Sequence, residues 1–560
     1  MSKQILGITD GTQESGISIV NHDKITFSIN EERITRKKKQ GSFPSESIKL
    51  IKPKNIDEIV VASISTPEIY LRIFRKIQRR FSSNMGIPTN YINPSFKDYI
   101  ADFYRRVIDQ KIQNNLNQIK TLRKLKICFL KKIIRNQFRI NAPVYFVKHH
   151  LAHASAAFFT SGLKRSLIIT ADMEGDGFSM KAYVMTQKES KCIYCVKPEH
   201  SYGAFYAAIT SYLGFTPFLH EGKITGLAAY GNTENVKVEF PFNIIKNKPV
   251  FTKKNGLGLR KFLKKLEHYK KEDIAAWLQK NTENQICNII KSLIISTKIK
   301  NICLSGGLFA NVKLNQRIHE LPEVNSVYIF PNMSDGGLAL GATLAHTKPT
   351  PKKLENIYLG PTYSDKRIKE TLEQSRLKYK KYNNIEKEIA KLLSKGKVVA
   401  RFNGAMEYGP RALGNRSILY QTTDKTVNEW LNKKLNRTEF MPFAPATLWE
   451  KRKECYKNIE GAENTARYMT ICFNCTDKMK KQSPGVVHID GTARPQIVKK
   501  EDNKSFHKII TEYHKITGIP SIINTSFNMH EEPIVMTPKD AIRAFKDSKI
   551  DHLAIGTYLI

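Results

Sequence analysis

No stretch of about twenty consecutive apolar residues occurs in the 560-residue chain, so no transmembrane helix is expected. The sequence opens directly on the strand-like Gln4-Ile-Leu-Gly-Ile8, and the expectation is a cytoplasmic protein without a signal peptide. Cysteine is scarce: eight residues in such a length do not make a disulfide framework. Two C-x-x-C spacings, Cys192 to Cys195 and Cys472 to Cys475, fall in the strand-like stretches 191–196 and 468–475. Positions three apart on a strand point to opposite faces and do not close on one ion, so both pairs are read as packing residues. Acidic residues are few, 51 against 91 basic, and the formal net charge of +40 favours nucleic acid, phosphate-bearing ligands or acidic surfaces as partners. Part of that excess is bland, because the chain is rich in Lys, Asn and Ile together and much of the lysine is solvated surface. A Walker A loop, a dinucleotide fingerprint and a legible internal repeat are also missing.

What is present is an alternation of strand and helix. Strand signals lie at 5–9, 16–20, 25–30, 59–63, 144–147, 167–170 and 302–304, an α/β pattern. The polar, Lys- and Pro-rich strip from Thr347 to Lys353 reads as a linker and places the main boundary near residue 350. Beyond it come helical runs at 385–394 and 426–435, a strand at 398–402, and turns dense in Gly, Asn, Arg and Pro that look like ligand loops. From Lys120 to Arg139 there are eight Lys or Arg and no acid, interleaved with Leu122, Leu125, Phe129, Leu130 and Ile133. This reads as a basic amphipathic helix. Two uses stand: a helix capping the domain with its basic face in water, or weak docking on an anionic or membrane surface.

The chemistry-bearing stretch is His149-His-Leu-Ala-His-Ala-Ser-Ala156, where His149 and His153 lie one helical turn apart on one face. They are either a pair of partly buried helix histidines or two ligands of one metal ion. Two carboxylates favour the second use: Asp172, after the apolar run 166–170, and Asp335. Each is followed by a glycine-rich turn, as where a strand ends at a ligand. Two His and two Asp make an N/O site.

Further blocks surround these. Asn30 to Lys39 packs seven charges into ten residues after a strand, which by itself is read as a solvated turn. The glycine-rich segments 305–311 and 221–231 can bring backbone N–H groups to phosphates. In the C-terminal half stand Gly404 to Ser417, Arg437 to Pro445, His488 to Gln496 and Ile523 to Asn528, of which all but the last carry arginine. Guanidinium forks beside Asn and Ser donors suit a small oxyanion such as phosphate or an acyl phosphate, and structural Arg–carboxylate pairs are the alternative.

Taken together, in this order and over nearly the whole chain, the blocks resemble the O-carbamoyltransferases of the NodU, CmcH and TobZ type. The resemblance implies an α/β fold in which an N-terminal two-lobed actin/sugar-kinase-like (TsaD-like) domain, residues 1–350, precedes a C-terminal YrdC-like α/β domain, residues 351–560. A basic helical insertion then occupies about 68–140. It implies that carbamoyl phosphate and ATP become carbamoyl adenylate at the YrdC-like site, and that the carbamoyl group passes to an acceptor hydroxyl at the TsaD-like site. Carried over residue by residue, the metal ligands are His149, His153, Asp172 and Asp335, with iron the expected ion and Mg a further cofactor. Nucleotide contacts fall on Gly306, Gly307, Asn311 and Gly336. Arg411, Arg416, Arg437, Arg494, Asn524, Ser526 and Asn528 take carbamoyl phosphate or ATP, with Lys433 and Lys434 behind them. Glu14, Lys38 and Glu221 are the catalytic candidates.

The chain departs from the family pattern at one telling place. Where the family shows His-Asp-Ser after the first strand, this chain has Gln13-Glu14-Ser15, and the His that usually follows Lys38 is Lys39. Glutamine is no general base, so three readings stand: Glu14 substitutes for the His, the acceptor is an amine needing little help, or transfer is impaired. The expected acceptor is a small molecule or glycan, and nucleic acid is not expected. Transfer of a threonylcarbamoyl type to tRNA, and a non-catalytic nucleotide-binding homologue, remain the alternatives. Hydrogenase maturation would need an acylphosphatase-like segment and paired zinc fingers, neither of which is found.

Overall fold

Short apolar runs bounded by Gly, Asn and Asp form the strands, and in the computed structural model, which describes residues 3–11, 13–21, 24–51, 55–63, 120–253, 256–435 and 441–560, they assemble into two units. The first takes Met1–Glu31 and Lys39–Leu354; the second takes Glu355–Ile560 together with Glu32–Lys38. A single cut near residue 350 does not contain that last segment. The expected insertion lies outside the described residues up to 119, and so does Arg437.

The first unit holds two five-stranded sheets. One is built from β1 (Gln4–Thr9), β2 (Gly16–Asn21), β3 (Lys24–Asn30), β4 (Glu58–Ala62) and β5 (Val144–Val147), in the order β3-β2-β1-β4-β5. The other uses β6 (Arg165–Gly175), β7 (Phe178–Thr186) and β8 (Ser190–Val196). After a separate hairpin, β9 (Phe242–Ile245) with β10 (Lys248–Phe251), it is completed by β11 (Asn301–Ser305) and β12 (Ser326–Ile329), in the order β12-β11-β6-β7-β8. Each sheet is an antiparallel three-strand meander with two parallel strands added on its first member. The repeat absent from the residue letters is therefore present in the topology. Parallel additions need crossovers, and helices supply them.

Two other helices, each following the last strand of one sheet, set the functional geometry. The helix His149–Ser161 and the helix Leu338–Thr347 pack at backbone distance, because Gly341 faces the carbonyl of Ala152: a Cβ there would stand 2.0 Å from that oxygen. Gly341→Ala is a direct test. Helix propensity alone would favour the change by up to about 1 kcal/mol, whereas overpacking costs about 1–3 kcal/mol. A lower urea midpoint is the expected outcome, and a raised one would mean that the helices do not meet so closely.

The second unit is built on an eight-stranded mixed sheet, in the order β13-β22-β21-β14-β15-β20-β16-β19. Its strands are β13 (Lys380–Lys381), β14 (Val399–Phe402), β15 (Arg416–Tyr420), β16 (Ala444–Leu448), β19 (Gln496–Val498), β20 (Ser521–Ser526), β21 (His552–Ile555) and β22 (Tyr558–Leu559). The short pair β17 (Phe473–Asn474) and β18 (Thr492–Ala493) stands apart. The helix Ile385–Ser394 buries Ile385, Ile389 and Leu393, a stripe at four-residue spacing, beside Phe506, Ile509 and Tyr513 of the helix Lys504–Thr517.

Several sequence expectations change. The stretch 468–475 is no continuous strand, since only Phe473–Asn474 is extended in a ladder; Cys472 and Cys475 are nonetheless buried. Cys192 lies on β8 but is exposed, so it is not a packing residue. The linker strip is tied down, with Lys352 and Leu354 donating backbone N–H groups to the carbonyls of Phe159 and Thr160. The charged run at 30–39 is no solvated turn: Asn30, Glu31 and Arg33 are buried. The basic helix spans Lys120–Phe138, with Leu130, Ile134 and Phe138 buried while Lys131, Lys132 and Arg135 are exposed. Among the described residues, no helix is long and apolar enough to cross a membrane.

Candidate metal centre

The helix His149–Ser161 has Lys148 at its N-cap, which makes no side-chain cap bond. Asp176 does that work from a distance. Its Oδ2 accepts the His149 N–H at 2.7 Å and its Oδ1 accepts the Ser63 hydroxyl at 2.8 Å, placing a carboxylate at the positive end of the helix. His150 faces away from the site. Its Nε2 donates to the Phe178 carbonyl (2.9 Å), which leaves Nδ1 to accept from Thr170 Oγ1 (2.8 Å); burial pushes this imidazole down to about 3, so it is a neutral brace onto β6 and β7. His149 and His153 turn together toward the opposite side.

Asp172 reaches them because β6 does not end at Thr170, as the sequence suggests, but buckles. Its ladder with β7 runs to Ala171, slips, and resumes at Gly175, and the bulged residues between include Asp172. Asp335 arrives from the single turn Asp335–Gly337 that leads into the helix Leu338–Thr347. His153 Nε2 lies 3.0 Å from Asp172 Oδ2 and 3.6 Å from Asp335 Oδ1; His149 Nε2 lies 3.7 and 3.6 Å from the same atoms. All four ligand atoms fall within 4.8 Å of one another.

Each of these four atoms is buried, and none makes a hydrogen bond of acceptable geometry. Four orphaned donors and acceptors at one point are costly unless something binds there, and two imidazoles with two carboxylates fit a divalent first-row ion. The outer shell agrees. Ser305 Oγ lies 3.2 Å both from the Met333 carbonyl and from His153 Nδ1; donating its hydrogen to the carbonyl leaves it to accept Nδ1–H, which keeps the Nε2 lone pair of His153 for the ion. Gly306 sits at φ 106°, and a Cβ on Gly307 would stand 2.8 Å from Asp172 Oδ1, so backbone alone fits over this carboxylate.

The electrostatics give the site a pH signature. Burial by itself would raise the Asp172 carboxyl, but His149 and His153 hold it well below the usual carboxylate range. Burial would likewise lower His149, yet Asp172 and Asp335 raise it to about 9. At pH 7 the metal-free His149 therefore carries a proton that an ion must expel. About one proton is expected to leave per ion bound, read as a dependence of the calorimetric enthalpy on buffer ionisation that fades above pH 9. Absence of that dependence at pH 7 would contradict the assignment.

Beside the quartet lies a second group. The N–H of Gly336, the residue after Asp335, donates to Glu14 Oε2 at 3.1 Å, and the Gly336 carbonyl accepts from Asn30 Nδ2 at 3.2 Å. Lys39 stands 3.8 Å from Glu14 Oε1. Burial raises the Glu221 carboxyl, opposed by the Lys39 charge and by the Phe218 N–H on its Oε1 at 2.5 Å. The structure thus gathers Glu14, Lys39 and Glu221 in the first unit; Lys38 is exposed and belongs to the second. Asn30 was not among the sequence candidates, and its only signal is its place at the end of β3.

The Asn311 side chain caps the helix Val312–His319 by accepting the Leu314 N–H (3.0 Å) and forms a reciprocal amide pair with Gln279 (3.0 and 2.8 Å). Arg416 is fully buried, donates to the carbonyls of Asn403, Gly404, Asn415 and Pro361, and stacks 3.8 Å over Phe402.

In the second unit, hydrogen bonds link the segments that carry Arg411, Arg494 and Asn524. Asn524 Nδ2 donates to the Ala412 carbonyl and to Gln496 Oε1, and Gln496 Nε2 donates to the Leu413 carbonyl. These bonds join the loop of Arg411, the strand that follows Arg494 and the strand leading to Ser526. Ser526 pairs with Ser417 across β15 and β20, and Asn528 Nδ2 donates to the carbonyls of Met529 and Glu532. Lys433 and Lys434 end the helix Val427–Lys434.

A family model described as Carbamoyltransferase N-terminus matches residues 4–344, and one described as Carbamoyltransferase C-terminus matches residues 390–560. A protein of Methanocaldococcus jannaschii, described as uncharacterized, is 34% identical over 577 residues, covering 99% of both chains. Nodulation protein NolNO of Sinorhizobium fredii is 30% identical over 436 residues, 74% of this chain and 64% of its own. Among solved structures, full-length HypF in a phosphate- and nucleotide-bound form aligns at 13% identity and a TM-score of 0.32, over 62% of this chain and 46% of that one, a likeness too slight to bear on the fold.

Proposed function

The chain belongs to the carbamoyltransferase family, and on that footing we propose that it makes carbamoyl adenylate from carbamoyl phosphate and ATP and passes the carbamoyl group to a hydroxyl of a small-molecule or sugar acceptor. The observation that carries the reading is the quartet His149, His153, Asp172 and Asp335, four buried ligand atoms aimed at one point. The second unit is assigned the activating half. Carbamoyl phosphate gives up its phosphate to water, leaving carbamate. The carbamate oxygen then attacks the α-phosphorus of ATP, forming the mixed anhydride and expelling pyrophosphate. Arg411, Arg494, Ser526 and Asn528 bind the anionic groups.

The first unit, read as the TsaD-like part, is assigned the transfer. An ion held by the quartet, with iron the one to test first, supplies positive charge against the adenylate phosphate. Glu14 takes the proton of the acceptor hydroxyl as its oxygen attacks the carbamoyl carbon, and AMP leaves. The Gly336 N–H and Lys39 hold Glu14 in place. Glycine backbone at 306 and 307 admits phosphate close to Asp172.

The test is mass spectrometry on metal-loaded protein given ATP and isotopically labelled carbamoyl phosphate without acceptor. Labelled carbamoyl adenylate and pyrophosphate are the expected products. Their absence from folded, metal-bound protein would move the assignment to another donor or to a non-catalytic role.

A further inference from the structure

One turn of helix in the N-terminal sequence, Glu32–Thr35, belongs by its contacts to the second unit. Its two arginines explain why. Arg33, buried at 5% exposure and 3.3 Å from Glu32, donates through Nη2 to the carbonyl of Gly409 at 2.7 Å. Arg36 spreads its fork over two consecutive carbonyls, Nη1 to Ile534 (2.7 Å) and Nη2 to Pro533 (2.5 Å). Arg36 holds φ at 62°, a left-handed conformation that glycine adopts at lower cost. The residue at this helix end is set by its guanidinium rather than by its backbone.

The gripped carbonyls sit at informative places. Gly409 immediately precedes Pro410 and Arg411. On the far side of that tip, one carboxylate oxygen of the buried Glu407 accepts the N–H groups of Leu413, Asn415 and Arg416, and on the near side the Tyr408 N–H donates to the Ile357 carbonyl at 2.9 Å, so Arg33 adds a hold at Gly409 itself. Pro533 and Ile534 lie in the loop that begins at Ser526 and Asn528 and closes where the Val535 N–H meets the Phe527 carbonyl at 3.0 Å. The two loops are neighbours, since the Phe527 N–H donates to the Arg416 carbonyl at 3.0 Å. One short segment therefore grips both loops that carry candidate anion-binding groups.

We infer that Arg33 and Arg36 are positioning residues of the activating site: they lock the 404–417 and 526–535 loops at the spacing at which Arg411, Ser526 and Asn528 share one carbamoyl phosphate. The inference rests on the activation reading above. A carbonyl-directed fork is rigid and planar, which a lysine cannot reproduce.

The full-length protein is compared with Arg36→Lys, Arg36→Ala and Arg33→Lys. Pyrophosphate release is followed with carbamoyl phosphate titrated at saturating ATP, and hydrogen exchange is read on peptides covering 405–415 and 527–536. In the variants KM for carbamoyl phosphate is expected to rise about tenfold, because small displacements of binding groups are costly. The expected kcat stays within about twofold, bound metal is unchanged, and exchange quickens in those two peptides only. In wild type, inorganic phosphate should slow exchange in both peptides, an effect weakened in each variant. Full recovery of KM by lysine would show that charge alone matters and overturn the inference, as would unchanged exchange in both loops. If wild type releases no pyrophosphate, the activation reading fails separately, while the exchange measurements still decide whether the arginines fix the loops. A global loss of protection in Arg36→Ala shifts the decision to the two lysine variants.

Discussion

Asp172→Asn should reduce affinity for a divalent first-row ion by more than about 100-fold, since loss of an outer partner alone costs about 10–100-fold. Asn keeps the shape and one carbonyl oxygen but removes the charge that, with Asp335, raises His149 and balances the ion. The bulge that presents the side chain depends on the β6–β7 ladder and not on the carboxylate, so the fold should survive. Equilibrium dialysis with elemental analysis is the measurement, with thermal unfolding beside it. Carbamoyl transfer should disappear with the metal, while formation of adenylate and pyrophosphate by the second unit persists. Undiminished metal binding in a folded Asp172→Asn protein would remove the quartet as the site.

Glu14→Gln should slow transfer to acceptor by about 100- to 10,000-fold, the range for loss of a general base. The amide oxygen can still accept the Gly336 N–H, so the substitution removes basicity while leaving the 3.1 Å contact available. Pyrophosphate release without acceptor and metal content should not change. Because Glu14 is held by the turn that carries Asp335 but is not one of the four quartet residues, its substitution separates proton removal from ion binding. Normal transfer by Glu14→Gln would withdraw the role. A gain in Gln13→His alone would locate the missing base one residue earlier.

Much of this site was legible in sequence because its parts are local. The four-residue spacing of His149 and His153 is a helical repeat, and a helix did form there, starting at His149. Glycines after Asp172 and Asp335 marked backbone that has to pass close to something. What stayed hidden had non-local causes. The contacts that hold Asn311 and Arg416, to Gln279 and to the carbonyls of Pro361 and Asn403, join residues far apart in sequence. The charged run from Asn30 to Lys39 looked solvated because charge predicts exposure. Its burial depends on carbonyls and N–H groups of distant segments, and Glu31, for example, accepts the N–H groups of Glu46 and Ser47.

The sequence by itself determined the α/β class, the helix bearing two histidines, the identity of the four metal-directed residues and the resemblance to carbamoyltransferases, because composition, periodicity and ordered motifs are properties of neighbouring residues. Tertiary structure alone decided that Asp172 stands on a bulge and that Gly341 lets two helices meet. It also decided that Glu14 meets the turn that carries Asp335, and that Arg33 and Arg36 serve the second unit. Those outcomes depend on which backbone groups of remote segments are left needing partners, and only the folded chain brings such groups within about 3 Å of one another.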